Sequence, residues 1–175
     1  VPRAGRMLLT EFTLAREGGV PARLPDDVPC AQILIFGLEG EMFFGATAAL
    51  DEHFARIEER VTPRTVVVVL RLKRARNPDA VGIMQLEHFL ERMHERGVEV
   101  LLCGVTRDFA NRLDRSGLSA KLGKNLFLEE RVRQTSTALA VRRAYELIPG
   151  PCEACPHKAA LAEQRAASAL GRQSK

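Results

Sequence analysis

Tryptophan is absent from this sequence of 175 residues, tyrosine occurs once, and aromatic residues make up only 5% of the chain. Proteins that bind single-stranded nucleic acid stack the bases on aromatic side chains, so this composition argues against nucleic acid as a partner. No apolar run approaches the roughly 20 residues that a membrane-spanning helix requires. The amino terminus also lacks the apolar core of a secretory signal. We therefore expect the part of the protein that this sequence represents to be soluble.

Sequence motifs for catalysis are missing as well. There is no glycine-rich phosphate loop, and Ser116 lies in Arg-Ser-Gly-Leu rather than in the Gly-x-Ser-x-Gly turn of a nucleophilic serine. His88 and His94 are six residues apart, which places them about 240° apart around a helix instead of on the single face that a metal pair requires. We predict that the protein is not an enzyme and uses no cofactor.

The spacing of the four cysteines is not that of a disulfide framework. Cys30 lies in a proline-flanked loop and Cys103 in an apolar strand, where a free thiol packs as a small apolar group. Cys152, Cys155 and His157 supply three of the four ligands of a tetrahedral zinc site, so they are a weak metal candidate that a second copy of the chain would complete. We interpret Cys152 and Cys155 as reduced thiols, as expected in a cytoplasm.

The net charge of +4 is unevenly distributed. From Arg131 onward, eight Lys and Arg residues stand against three Glu, a surplus of +5, so residues 1–130 carry about −1. We divide the chain into a folded domain, residues 1–150, and a basic, alanine-rich tail, residues 151–175. The first residue is Val1 rather than Met, which suggests a fragment of a longer protein or a cloning artefact.

The centre of the predicted domain is a strand, a helix and a second strand. Residues 65–70 are a continuous apolar, β-branched run, which is typical of a strand buried on both faces. Asp79 is placed to cap a helix that carries apolar residues at helical spacing up to Gly97. Residues 98–103 read as the next strand. Together these segments predict a right-handed βαβ unit with a parallel sheet.

The remaining segments add strands and helices on both sides of this unit. We predict an edge strand at residues 7–14, further strands at 32–38 and 125–128, and helices at 45–60, 106–117 and 135–148. Thr106 is placed to cap the second of these helices, and Ser116-Gly117 to end it. The last of these carries Leu139, Arg143 and Leu147 along its length.

The order of these elements resembles the STAS domain. Leu38-Glu39-Gly40-Glu41-Met42-Phe43-Phe44-Gly45 is similar to the Gly-x-Leu-Phe-Phe-Gly/Ala stretch of the STAS domains that end SulP-type sulfate permeases. The segments 66–70, 79–82, 96–105 and 116–118 follow the same pattern, and the resemblance covers residues 30–148. It implies an α/β, STAS-like fold, with a mixed sheet of about four or five strands and helices mainly on one face.

One position departs from the family pattern. STAS proteins that are switched by phosphorylation carry Asp-Ser-Ser/Thr-Gly at the start of the central helix, with the first Ser as acceptor. The matching residues here are Asp79, Ala80, Val81 and Gly82. Because Ala80 has no hydroxyl, we expect no phosphoacceptor at this site, which favours the transporter branch over anti-anti-sigma factors.

The resemblance implies a non-catalytic cytoplasmic regulatory and interaction domain of a SulP-type sulfate or other anion transporter. Its partners would be the membrane domain of its own transporter, a second copy of itself and a cytoplasmic protein, at the cytoplasmic face of the inner or plasma membrane. Nothing in the sequence identifies the transported anion. Two alternatives stay open: a free-standing STAS regulator of the anti-anti-sigma type without the phosphoacceptor, and a small anion- or nucleotide-binding module.

A basic cluster follows the central strand and is our candidate site for an anion or an acidic partner. The carboxyl ends of parallel strands and the amino ends of the helices that follow them both favour anionic ligands. Asp79 argues partly against this, because its carboxylate would occupy the same backbone amides. The alternative is a solvated loop whose arginines pair with local carboxylates. The candidate residues are Arg71, Lys73, Arg74, Arg76, Asp79, Ala80, Val81 and Gly82.

Overall fold

A single five-stranded sheet runs through the protein in the computed structural model, which describes residues 6–14, 20–42, 44–130 and 135–150 and the single residues 162, 166, 169 and 170. The strands lie side by side in chain order. The first pairs antiparallel with the second, and all other pairs are parallel. The strands are β1 (Leu8–Phe12), β2 (Ile33–Glu41), β3 (Val67–Arg76), β4 (Glu99–Val105) and β5 (Leu126–Leu128). The predicted mixed sheet is therefore confirmed.

Within residues 6–150, the described part of the chain contains five α-helices, which cover the sheet unevenly. They are α1 (Thr47–Arg60), α2 (Ala80–Glu95), α3 (Arg107–Ser116), α4 (Leu118–Leu122) and α5 (Ser136–Leu147), with short 3-10 turns at Phe44–Ala46 and Gly123–Asn125. The core residues of the first four helices form one apolar cluster with one face of the sheet. The core residues of α5 form a separate cluster with the opposite face. The helices thus lie mainly on one face, as predicted, with α5 alone on the other.

The burial of β3 on both faces explains why the apolar run at residues 65–70 is continuous. Val68 and Leu70 point into the cluster beneath α1–α4, whereas Val67 and Val69 point into the cluster beneath α5, and all four are fully buried. Because successive side chains of a strand point to opposite faces, a strand covered on both sides is apolar at every position. The prediction of a doubly buried central strand is confirmed.

The predicted end of this strand at residue 70 was wrong. Strand β3 continues to Arg76, because the second half of β2 supplies a pairing partner as far as Glu41. The pairing shifts between Gly37 and Glu39, so that β3 contributes one residue more than β2. A bulge of this kind reverses the alternation of side chains along the strand that contains it.

The bulge decides where the basic residues of β3 point. Leu72 and Ala75 are three residues apart, yet both are buried in the cluster beneath α1–α4. The apolar residues on either side of the bulge therefore stay in that cluster. The basic side chains that alternate with them stay out of it.

Helix capping matches the sequence expectations at α2 and α3. The Asp79 carboxylate accepts a hydrogen bond from the Gly82 amide at 2.8 Å, and the Thr106 hydroxyl oxygen accepts one from the Phe109 amide at 3.3 Å. Gly117, with φ of 79°, ends α3 in the left-handed conformation that glycine adopts without a steric penalty. These local signals fix where both helices begin and where α3 ends.

Helix α5 packs on the sheet through Val141 and Tyr145 as well as through small residues. Its buried residues include Ala140 and Ala144, while Leu139 is 37% exposed. The small side chains let the helix lie close against β3 and β4. At that contact the Gly104 amide donates to the Ser136 hydroxyl oxygen at 2.8 Å.

Other expectations concern cysteines and membranes. Cys30 and Cys103 are buried free thiols, as predicted. Within the part of the chain that the structure describes, no helix combines the length and apolar character needed to cross a bilayer. Cys152, Cys155 and His157 lie outside the described residues, so the metal candidate stays a prediction. The division of the chain after residue 150 also stays a prediction.

Candidate functional site

The second half of β3 carries the four basic residues of the candidate site. Arg71 follows Val67 and Val69 on the α5 face, and its guanidinium carbon lies 4.5 Å from the centroid of the Phe12 ring. A cation placed over an aromatic face in this way is attracted to the ring electrons. The Nε atom of Arg71 is shielded from solvent and has no hydrogen-bond partner within the described part of the chain.

Two of the other basic residues are ion-paired. Lys73 Nζ lies 3.2 Å from Glu129 Oε1, and Arg74 Nη1 lies 3.4 Å from Glu39 Oε2. Both pairs are largely exposed, and exposed pairs contribute about 0–1 kcal/mol to stability. The expectation that arginines pair with local carboxylates therefore holds for Arg74, although the residues lie on a strand and not in a loop.

Glu129 is a carboxylate near the basic cluster with two polar side-chain partners. It follows β5, where it accepts a hydrogen bond from the Ser136 hydroxyl at 2.7 Å and pairs with Lys73. The Ser136 hydrogen bond and the nearby charges of Lys73 and Arg71 together lower the pKa of Glu129 below its ordinary value. This carboxylate is consequently ionised at neutral pH.

The second part of the candidate site is the amino end of α2. Asp79 caps the helix and its own amide donates to the Met42 carbonyl oxygen at 3.0 Å. A Cβ atom at Gly82 would lie only 2.6 Å from that same Met42 oxygen, so this position requires glycine. Arg112 of α3 donates to the Pro78 carbonyl oxygen at 2.8 Å. The turn is thus held between the end of β2 and α3.

The two residues between the cap and Gly82 complete this part. Ala80, at the position of the family's phosphoacceptor, is exposed, and Val81 is half-buried. The exposed methyl group of Ala80 offers no hydroxyl to a kinase. That this position carries no phosphoacceptor stays a prediction from the family resemblance.

The sheet separates the two parts of the candidate site. Arg71 belongs to the α5 face, whereas the first buried residues of α2 join the cluster on the opposite face. Sequence reasoning placed the basic cluster and the helix end together because they are neighbours along the chain. The structure instead makes them two surfaces, one on each side of the sheet.

The surface on the α5 face includes residues that the sequence did not indicate. An open depression between β3 and α5 is lined by Arg71 and Lys73 together with residues of α5 and its cap, namely Thr135, Thr137, Ala138, Val141, Arg142 and Tyr145. These residues are more than 60 positions from Arg71 along the chain, and no local pattern connects them. Only the packing of α5 on the sheet brings them together.

Cys103 lies beneath this depression, where its thiol donates to the Thr137 hydroxyl oxygen at 3.7 Å. Burial raises the pKa of Cys103 to about 11. A thiol with so high a pKa is protonated at neutral pH and is a poor nucleophile. Its role is consequently one of packing.

The comparisons with known proteins decide the family. Residues 25–133 match the STAS domain family, which is more than half of the chain. The chain belongs to the STAS domain family. No curated protein matches the sequence.

Three solved structures illustrate how this STAS domain relates to others. A sulfate transporter family protein from Wolinella succinogenes is 28% identical over 70% of this chain and 91% of that chain, with a TM-score of 0.54. The murine Solute Carrier 26 family member A9 anion transporter shares the fold at 11% identity and a TM-score of 0.66, over 82% of this chain but 23% of that chain. An anti-sigma factor antagonist from Mycobacterium paratuberculosis shares the fold at 15% identity and a TM-score of 0.50, over 82% of this chain and 97% of that chain.

These similarities lead to a coarse statement of function. The STAS domain resembles both transporter STAS domains and anti-sigma factor antagonists. STAS domains are generally non-catalytic regulatory domains.

Proposed function

We propose that this STAS domain is the cytoplasmic regulatory and interaction domain of a SulP-type sulfate or other anion transporter, without catalytic activity. The observation that carries the proposal is the 28% identity to the sulfate transporter family protein of Wolinella succinogenes over 91% of that protein's chain. The anti-sigma factor antagonist is similar at only 15% identity, which concerns the fold alone. The sequence identity to the sulfate transporter family protein is thus higher than that to the anti-sigma factor antagonist.

Ala80 also supports the choice of a transporter domain over a regulator switched by phosphorylation. A domain that is switched by phosphorylation needs a hydroxyl at the start of α2, and Ala80 occupies that position with its side chain exposed. Regulation in this protein would then depend on contacts rather than on a phosphate. Its partners would be the membrane domain of its own transporter, a second copy of the domain and a cytoplasmic protein.

The surface around residues 71–82 is the proposed docking site. Arg74 and Arg76 are exposed at the end of β3, ahead of the turn that leads into α2. Exposed arginines suit an acidic partner surface. Mutation of rim charges of this kind slows association more than it changes the bound complex.

The native reading frame upstream of Val1 provides the first test. We expect it to encode ten or more apolar segments of spanning length. In that case the transporter should be purified whole and with residues 1–150 deleted, and anion uptake into vesicles measured for both. Altered uptake without the domain supports the proposal, whereas equal uptake contradicts a regulatory role.

A free-standing regulator of the anti-anti-sigma type is the second candidate, favoured by the match to 97% of the anti-sigma factor antagonist's chain. A start codon just before Val1 would support it. The variant Ala80→Ser restores the missing hydroxyl at an exposed position, and phosphorylation of this variant by a cognate kinase would favour the regulator. Wild-type protein is the matched control, because it should stay unmodified under the same conditions.

A further inference from the structure

The depression between β3 and α5 has the size of a small-ligand site. Its volume is about 370 Å³, and one wall is formed by Arg71 and Lys73 of β3. The opposite wall is formed by α5, with Thr135 at its cap and Tyr145 among its lining residues. Pockets for small molecules typically measure about 300–1,000 Å³, with a few polar groups that converge on the ligand.

The charge of the lining favours an anion. Arg71 and Lys73 carry positive charge there, and Glu129 is the only carboxylate among the described residues that line the depression. Glu129 pairs with Lys73. Arg71 has no carboxylate within 4.0 Å among the described residues, so its charge is balanced by no ion pair there. The depression therefore carries an excess of positive charge next to a partly shielded guanidinium.

Hydroxyl groups lie on the α5 side of the same depression. The Thr135 oxygen accepts a hydrogen bond from the Ala138 amide at 3.2 Å, and the Thr137 oxygen accepts one from the Cys103 thiol at 3.7 Å. Since each oxygen is used as an acceptor, each hydroxyl retains its own proton as a donor. A guanidinium, an ammonium and hydroxyl donors around one cavity match the acceptor-only character of an oxyanion.

We propose that this depression binds a tetrahedral oxyanion, sulfate or phosphate, held by Arg71 and Lys73 with hydroxyl donors from the start of α5. Glu129 acts as an internal competitor for Lys73, because its carboxylate pairs with the lysine in the absence of ligand. This inference goes beyond the docking role proposed above, since it concerns a small ligand in the depression between β3 and α5. It holds whether or not a membrane domain precedes the chain.

Tyr145 provides a direct way to measure binding. It is the only tyrosine of a protein without tryptophan, and it lines the depression. Its fluorescence therefore reports on this one place. The protein should be titrated with sodium sulfate, sodium phosphate and, as a phosphate ester, AMP, with ionic strength kept constant by chloride. We expect a saturable change with the oxyanions and none with chloride alone.

Variants on the two sides of the ion pair sharpen the test. Glu129→Gln removes the competing carboxylate and is expected to tighten sulfate binding about fivefold. Arg71→Gln removes a charged donor and is expected to weaken binding at least about tenfold. Lys73→Gln, at a side chain that is 59% exposed, should weaken it as well without affecting the fold. The matched control is Arg56→Gln, at an exposed arginine of α1 on the other face of the sheet.

Each outcome bears on the proposal. Saturable binding of the inorganic anions identifies free oxyanion as the ligand, and tighter binding of AMP identifies an organic phosphate. No response of folded wild-type and Glu129→Gln proteins to any of the three overturns the proposal. Unchanged sulfate affinity in Arg71→Gln or Lys73→Gln would also overturn the proposal, because the attraction of sulfate to the protein would then be non-specific. Such a failure would leave the transporter assignment intact, since the upstream reading frame tests that separately.

Discussion

The two faces of the sheet are built differently. Beneath α1–α4 the core contains large, fully buried side chains, and Phe54 and Phe89 stack there with ring centroids 4.4 Å apart. Beneath α5 the core contains small residues such as Ala140 and Ala144, and it gives way to charged side chains toward the end of β3. Apolar burial increases stability with the area removed from water. The first face therefore buries more apolar side chains, and the second is partly open beside β3.

The largest effect is expected on the first face. Phe89→Ala removes a fully buried ring and the stacking contact of that ring with Phe54. It should lower the free energy of unfolding by about 3–5 kcal/mol. Urea denaturation followed by circular dichroism measures this. Leu139→Ala, on the outer side of α5, serves as control and should change stability by about 0.5 kcal/mol or less. Equal losses would refute the difference between the faces.

Gly104 tests the close contact of β3 and β4 beside the depression. Gly104 has φ of 65°, and a Cβ atom there would lie 2.8 Å from the Lys73 backbone nitrogen. Gly104→Ala should therefore cost about 2–3 kcal/mol, from both conformational strain and overpacking. Gly97→Ala is the matched control, with φ of 73° and no atom within 4 Å, and should cost only about 1 kcal/mol. Thermal unfolding that ranks the two variants in the reverse order would contradict the contact.

A smaller effect is expected at the cap of α2. Asp79→Ala leaves the Gly82 amide without its acceptor and should lower stability by about 1 kcal/mol. Asp79→Asn retains an oxygen at the cap, so most of the stability should return. Chemical denaturation of both variants separates the loss of the hydrogen bond from the loss of charge. If Asp79→Asn were as unstable as Asp79→Ala, the charge rather than the cap would be responsible.

The smallest effect concerns the pH dependence of the second face. The pKa of Glu129 is lowered in the folded protein, chiefly by the Ser136 hydrogen bond. The folded state thus binds this proton less readily than the unfolded state does. The resulting stability is present above the ordinary pKa of 4.5 and is lost as pH falls through the lowered value.

Glu129→Gln removes this dependence. Because Glu129 is partly exposed, the wild-type protein should exceed the variant by less than about 1 kcal/mol near neutral pH, and the advantage should decrease toward pH 3. Unfolding free energies of both proteins across this pH range measure it. An advantage that grows on acidification would contradict the direction of the shift.

Much of the fold follows from local sequence patterns. The doubly buried run before Arg71, the caps Asp79 and Thr106 and the stop at Gly117 each predict their element without tertiary information, and each is confirmed. The family resemblance also depends on short segments in order. These patterns missed helix α4 and the full lengths of β2 and β3. Charged residues in a strand carry no apolar signal, so the ends of both strands were not predicted.

The sequence by itself determined the order of the strands along the chain, the start of α2, α3 and α5, the STAS family and the missing hydroxyl at Ala80. Tertiary structure alone decided that β3 extends to Arg76, that the basic residues and the end of α2 lie on opposite faces, and that Thr135 and Tyr145 approach Arg71. The physical reason is that the direction of a strand side chain depends on register and bulges. Register is set by pairing with residues more than 30 positions away, which no local pattern records.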